Sequence, residues 1–183
     1  MFDYKKHFDI FCKENCLELY LSFDMPAGYE TANGTFDFET KTVYVNAACL
    51  SETPDEEQAF FFFHEMRHAL QYLCPELFSD AIIRSLPYTI MFDGTCYKLV
   101  DGRYLECKLD GVEGYFTDLY LGQPYELDAN NYAYEQVKEL FGETEDLRRL
   151  YDFWTPHQTV SDDVYDAVFS MIDEKIKKST GEV

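Results

Sequence analysis

Apolar and polar residues change their period several times along this chain, and each change marks an element. Between residues 3 and 20, Phe8, Phe11, Cys12, Leu17 and Leu19 recur at helix-like spacing, so the segment is predicted to be a first helix. From Gly34 the period becomes two. Thr35-Phe36-Asp37-Phe38 and Thr42-Val43-Tyr44-Val45-Asn46 alternate apolar with polar residues on either side of a polar turn, which predicts a β-hairpin.

A helical period returns after Thr53-Pro54-Asp55-Glu56. Thr53 reads as the N-cap, Pro54 as the first helical residue and Glu56 as the third position of a capping box. The helix should run for about 20 residues until Pro75 stops it. It holds four consecutive phenylalanines, Phe60 to Phe63, and is apolar nearly all round, as a central helix is. A shorter helix is expected from Ser79 to Leu86. Cys96-Tyr97-Lys98-Leu99-Val100 and Arg103-Tyr104-Leu105-Glu106-Cys107 flank Asp101-Gly102, a two-residue hairpin turn that sets Cys96 opposite Cys107. That spacing allows either a disulfide or two packed thiols. Helices are expected over about 124–141, 144–153 and 161–178, the last capped by Ser161.

These elements predict an α+β fold in which the central helix packs on a small antiparallel or mixed sheet, followed by a helical C-terminal part. No repeat or linker divides the 183 residues, and residues 1–183 are expected to form a single domain. Composition changes the picture chiefly through charge. Fifteen Lys and Arg face 35 Asp and Glu, a formal net charge of -20, which argues against nucleic acid and anionic membranes as partners. With 46% hydrophobic residues the chain nevertheless has the material for a core. The charge-interrupted start has no signal-peptide pattern, no apolar run reaches membrane-spanning length, and six cysteines then suggest a reducing, cytoplasmic setting.

Candidate chemistry lies inside the central helix, at His64-Glu65-Met66-Arg67-His68. Histidines four residues apart project from one helical face and can reach one ion at about 2.0–2.1 Å. Glu65 is turned about 100° from His64, beside the ion, where it can take a proton from a bound water. The composition makes roughly 0.01 such matches expected by chance. Two imidazoles and a carboxylate in an apolar helix are also costly to bury without partners.

This is the HExxH pattern of the zincin metallopeptidases, and the resemblance implies a Zn2+ site, one ion per chain. Arg67 departs from the zincin preference for uncharged residues between the histidines, and is expected to turn away toward one of the many carboxylates. Gln71 and Cys74 stand where a metzincin would have Gly and His, so that class is excluded. The run Pro124-Tyr125-Glu126-Leu127-Asp128-Ala129-Asn130-Asn131-Tyr132-Ala133 resembles the element that supplies the third ligand in gluzincins of the ImmA/IrrE type. The resemblance covers residues 30–140. It implies Glu126 as third ligand, with Asp128 as the other candidate, and Asn130 as the residue that orients a ligand histidine. It further implies that the strand with Val43, Tyr44 and Val45 is a sheet edge on which an extended peptide is laid.

The activity implied by this resemblance is that of a zinc-dependent peptidase. His64, His68 and Glu126 hold the ion, Glu65 activates its water, and a Tyr or His donates to the oxyanion, His157 being the candidate histidine. Its substrates are expected to be neutral or basic polypeptides. Two alternatives stay open. One is a catalytically weak zincin-like module that binds a partner protein, with Cys74 as a possible fourth ligand; the other is a repressor-cleaving protein of phage or mobile-element type.

Overall fold

In the structure, a computed structural model that describes residues 2–180, the first helix is shorter than its apolar period suggests. Helix α1 (Tyr4–Glu14) starts at Asp3, whose carboxylate accepts from the Lys6 N–H at 3.0 Å. It ends where the Asn15 amide folds back onto the Phe11 carbonyl at 2.9 Å and Cys16 takes a left-handed φ of 52°. The expected helix to residue 20 is thereby corrected. Residues Tyr20–Ser22 form strand β1.

The first hairpin is present as β2 (Gly34–Asp37) and β3 (Thr42–Val45), paired from Gly34 with Val45 to Asp37 with Thr42. The Asp37 carboxylate accepts from the Glu39 and Thr40 N–H groups at 2.9 and 3.2 Å, which tightens the turn. Strand β1 pairs parallel with β3 on its other side, giving the order β1-β3-β2. This corrects the expectation that Val43, Tyr44 and Val45 lie on a sheet edge. Both hydrogen-bonding edges of β3 are occupied by neighbouring strands, and among the described residues the open edges belong to β1 and β2.

A short helix, α2 (Ala47–Leu50), comes after β3 and is capped by Asn46, whose side-chain oxygen accepts from the Cys49 N–H at 3.2 Å. The same amide donates to the carbonyls of Glu30 and Ala32 at 3.0 and 2.8 Å. Asn46 therefore ties the loop that enters β2 to the end of β3.

The central helix is α3 (Asp55–Leu73), and its cap differs from expectation. Pro54 is the N-cap and offers no side-chain bond, because the Thr53 hydroxyl is turned back to the Leu50 carbonyl at 2.9 Å. Asp55, Glu56 and Glu57 instead place negative charge on the first turn. Phe60, Phe61, Phe62 and Phe63 are all buried. One helix can bury all four because α1 packs on one side of it and β2 and β3 on the other. The Phe62 ring meets Phe2 and Tyr4, with centroids 5.6 and 5.8 Å apart. The helix ends before Pro75, as expected.

After a 3-10 turn at Pro75–Leu77 come α4 (Asp80–Ser85) and an antiparallel sheet of β4 (Tyr88–Ile90), β5 (Thr95–Val100) and β6 (Arg103–Lys108), in the order β4-β5-β6. Asp101 and Gly102 have φ of 49° and 73°, the left-handed pair that a two-residue hairpin turn requires, and Cys96 lies opposite Cys107 as the sequence predicts. Both are free thiols. Strand β4 and helix α5 (Glu113–Leu121) were not legible in the pattern. Helices α6 (Pro124–Phe141), α7 (Glu145–Phe153) and α8 (Asp162–Thr180) fall where helices were expected.

The fold is α+β, with eight α-helices and two three-stranded sheets among the described residues. The described residues divide into two compact units. The first holds the chain up to Leu77 and Asp128–Tyr151; its core includes Val43, Val45, Phe60, Phe62, Met66, Ala133 and Val137. The second holds Phe78–Leu127 and residues 152–180, and is built around Ile90, Phe116, Leu119, Tyr165 and Ile172. Within it the buried Gln123 amide accepts from the Ile90 N–H at 3.2 Å and donates to the Tyr88 carbonyl at 2.5 Å, anchoring the start of α6. Among the described residues no helix is long and apolar enough to cross a membrane.

Candidate metal centre

Helical geometry alone brings His64 and His68 onto one face of α3. Their rings stand perpendicular with centroids 4.5 Å apart, and their Nε2 atoms approach to 2.9 Å. Each Nδ1 is engaged on the far side of its ring. His64 Nδ1 lies 2.8 Å from the Asn130 side-chain oxygen, and His68 Nδ1 lies 2.8 Å from that of Gln71. Nδ1–H donation to these oxygens leaves the Nε2 lone pairs directed at each other. Two such lone pairs repel unless a proton or a metal ion lies between them.

Helix α6 supplies the remaining donor. Glu126 is one turn before Asn130 on this helix, and its carboxylate forms a group with the two histidines in which the ligand atoms all lie within 4.8 Å of one another. A tetrahedral ion with bonds of about 2.0–2.1 Å holds its ligand atoms roughly 3.4 Å apart. The three atoms are thus close enough together to hold a metal ion, and the donor set suits a divalent cation of borderline softness. Asn130, 3% exposed, sets its side-chain oxygen against His64 Nδ1.

The other ligand candidate, Asp128, is committed elsewhere. Its carboxylate accepts both Arg67 Nε–H and Nη2–H, at 2.8 and 3.0 Å, and also the Gln71 side-chain N–H at 2.8 Å. The departure from the zincin pattern at Arg67 is thereby explained: the guanidinium turns away from the histidines into a bidentate pair, and its other face lies 4.8 Å from the Tyr132 ring centroid. Burial pushes the Tyr132 phenol up to about 12, so it stays neutral beside this pair.

Glu65 is 8% exposed and faces the first sheet. Gly34 on β2 lies against it so closely that a Cβ there would stand 2.7 Å from Glu65 Cγ and 3.0 Å from the Tyr44 carbonyl oxygen. The absence of a side chain at 34 is what lets the edge strand approach this carboxylate.

Two residues that sequence reasoning missed therefore surround the motif, Gln71 and Gly34, while Asp128, expected as the alternative ligand, pairs with Arg67. The signal available for Gln71 was its place in an apolar helix, three after His68 and four after Arg67. Gly34 carried no signal, because its partner is 31 residues away. His157 is exposed on the connection between α7 and α8, held through its backbone N–H by Asp118 at 3.0 Å. Cys74, the candidate fourth ligand, is the C-cap of α3 and is not part of the ligand group found among the described residues; burial raises its thiol pKa.

No protein-family model, no curated protein and no solved structure matches this chain.

Proposed function

We propose that this chain is a zinc-dependent peptidase of the gluzincin type, in which His64, His68 and Glu126 hold the ion and Glu65 is the general base. The observation that carries this reading is the convergence of two histidines, each anchored at Nδ1 by a buried amide, with a carboxylate from a second helix. Three protein ligands with one position left over is the pattern of catalytic zinc, not of structural zinc.

When bound, zinc supplies a Lewis acid that polarises a peptide carbonyl and lowers the pKa of a water to about 7. Glu65 accepts the proton of the attacking water and delivers it to the leaving amine. Gly34 lies against the Glu65 side chain and limits where that carboxylate can sit. Asn130 and Gln71 keep both imidazoles in the tautomer that presents Nε2. An extended substrate would pair with the open edge of β2, the strand beside Glu65, through main-chain hydrogen bonds. With a net charge of -20, the protein should favour neutral or basic segments.

The test compares wild-type protein with Glu65→Gln for metal content and for cleavage of a mixed peptide library. Wild type should carry about one zinc per chain and cleave; the variant should keep its zinc and lose cleavage. Equal cleavage by the two proteins would remove Glu65 from the mechanism, and a metal-free wild type would remove the metal.

A further inference from the structure

Arg67, Asp128 and Gln71 are joined in an order that gives their hydrogen bonds a direction. We infer that these three residues form a positioning relay that dictates the tautomer of His68, and through it the strength of metal binding. The second half of this inference rests on the metallopeptidase reading above.

The direction is set at Asp128. An ionised carboxylate can only accept hydrogen bonds. Arg67 engages both of its oxygens with a two-pronged donor, at 2.8 and 3.0 Å, where the two side chains are only 24% and 21% exposed. Gln71 is fully buried and cannot rotate toward solvent. Facing an obligate acceptor 2.8 Å away, it must turn its NH2 toward Asp128, and its carbonyl oxygen then points the other way, to His68. An oxygen there requires a proton on His68 Nδ1, which in the neutral ring keeps the lone pair on Nε2, the atom that faces His64. The negative charge at one end of the chain of hydrogen bonds thus decides the protonation pattern at the other.

The relay acts on one ligand of the pair. His64 is oriented by Asn130 on α6, whereas His68 is oriented by Gln71 on its own helix. The two ligands that look equivalent in the motif are therefore held by different partners, and Arg67, the residue that breaks the zincin preference, serves His68. The relay also links α3 to α6 through Asp128.

The test uses isosteric changes, so that the packing is kept. In metal-free wild-type protein at mildly alkaline pH, long-range nitrogen–proton NMR of the imidazoles should report His68 as the Nδ1–H tautomer. In Asp128→Asn, where the partner can donate as well as accept, Gln71 is free to flip and a mixture of tautomers is expected. Zinc affinity by chelator competition should fall 10- to 100-fold, and the visible spectrum of the cobalt-loaded protein should shift. Gln71→Glu alone sets two carboxylates together and should bind zinc poorly. The double variant Gln71→Glu, Asp128→Asn exchanges amide and carboxylate, restores an acceptor to His68, and should bind more tightly than either single change. Unaltered His68 tautomer and zinc affinity within twofold of wild type in Asp128→Asn would overturn the relay. Tautomer control in a wild-type protein that takes up no zinc would uphold the relay and overturn the metallopeptidase reading.

Discussion

Gly34 and Glu65 sit so close that a single methyl group at position 34 would lie 2.7 Å from Glu65 Cγ, with the Tyr44 carbonyl oxygen at 3.0 Å blocking the alternative direction. Backbone cannot yield as a side chain can, so Gly34→Ala should move the Glu65 carboxylate. The expected outcome is a loss of peptide hydrolysis on the order of 100-fold, the scale of a 1 Å misplacement, with zinc content unchanged. Overpacking should also lower stability by about 1–3 kcal/mol, read from chemical denaturation. Unchanged hydrolysis would mean that Glu65 relaxes freely.

Glu126 and Asp128 lie two positions apart and differ in their partners. Glu126→Gln should weaken zinc binding more than about 100-fold, beyond what loss of a supporting partner costs, whereas Asp128→Asn should stay within about 10- to 100-fold. Chelator competition on both purified variants checks this. The reverse ranking would make Asp128 the ligand.

Burial raises the phenols of Tyr4 and Tyr132 to about 12 from an ordinary 10.0, with the Asp55 charge adding to the effect at Tyr4. The unfolded chain therefore loses these protons first as pH rises, and the native state binds more protons through that interval. Their contribution to stability is fully present below about pH 10 and is lost progressively up to about pH 12. The thermal midpoint should fall across this range, and Tyr132→Phe should flatten the fall. A midpoint equally steep in the variant would show that Tyr132 plays no part.

The six cysteines should separate by reactivity. Cys16 and Cys49 are exposed, whereas burial pushes the Cys96 thiol up to about 12 and raises Cys107 and Cys12. Brief alkylation at neutral pH with peptide mass mapping should modify Cys16 and Cys49 first and Cys96 last. Early modification of Cys96 would mean that the second unit opens readily.

Local chemistry made part of this molecule readable in advance. The four-residue spacing of His64 and His68 puts both on one face of any helix that forms, and Asp101-Gly102 sets the register that opposes Cys96 to Cys107, because each depends only on neighbours in the chain. The ends of α1 and α3 were less legible. Asn15 competes for a backbone carbonyl of its own helix, and Thr53 spends its hydroxyl on the Leu50 carbonyl, so neither residue keeps to its usual preference.

Other relationships depend on which distant segment arrives beside a given residue. Alternation in Val43-Tyr44-Val45 tells which side chains share a face but not which strands lie on either side, and the parallel pairing with Tyr20–Ser22 makes this strand central where an edge was expected. The sequence by itself determined the chemical types at the site and the helical phase of the histidines. Tertiary structure decided that Arg67 and Gln71 meet Asp128, that Glu126 joins the histidines, and that Gly34 touches Glu65. The physical reason is that helical phase is fixed by bonded geometry. A contact between residues 31 to 62 positions apart exists only once the packing of helices and sheet has brought their backbones together.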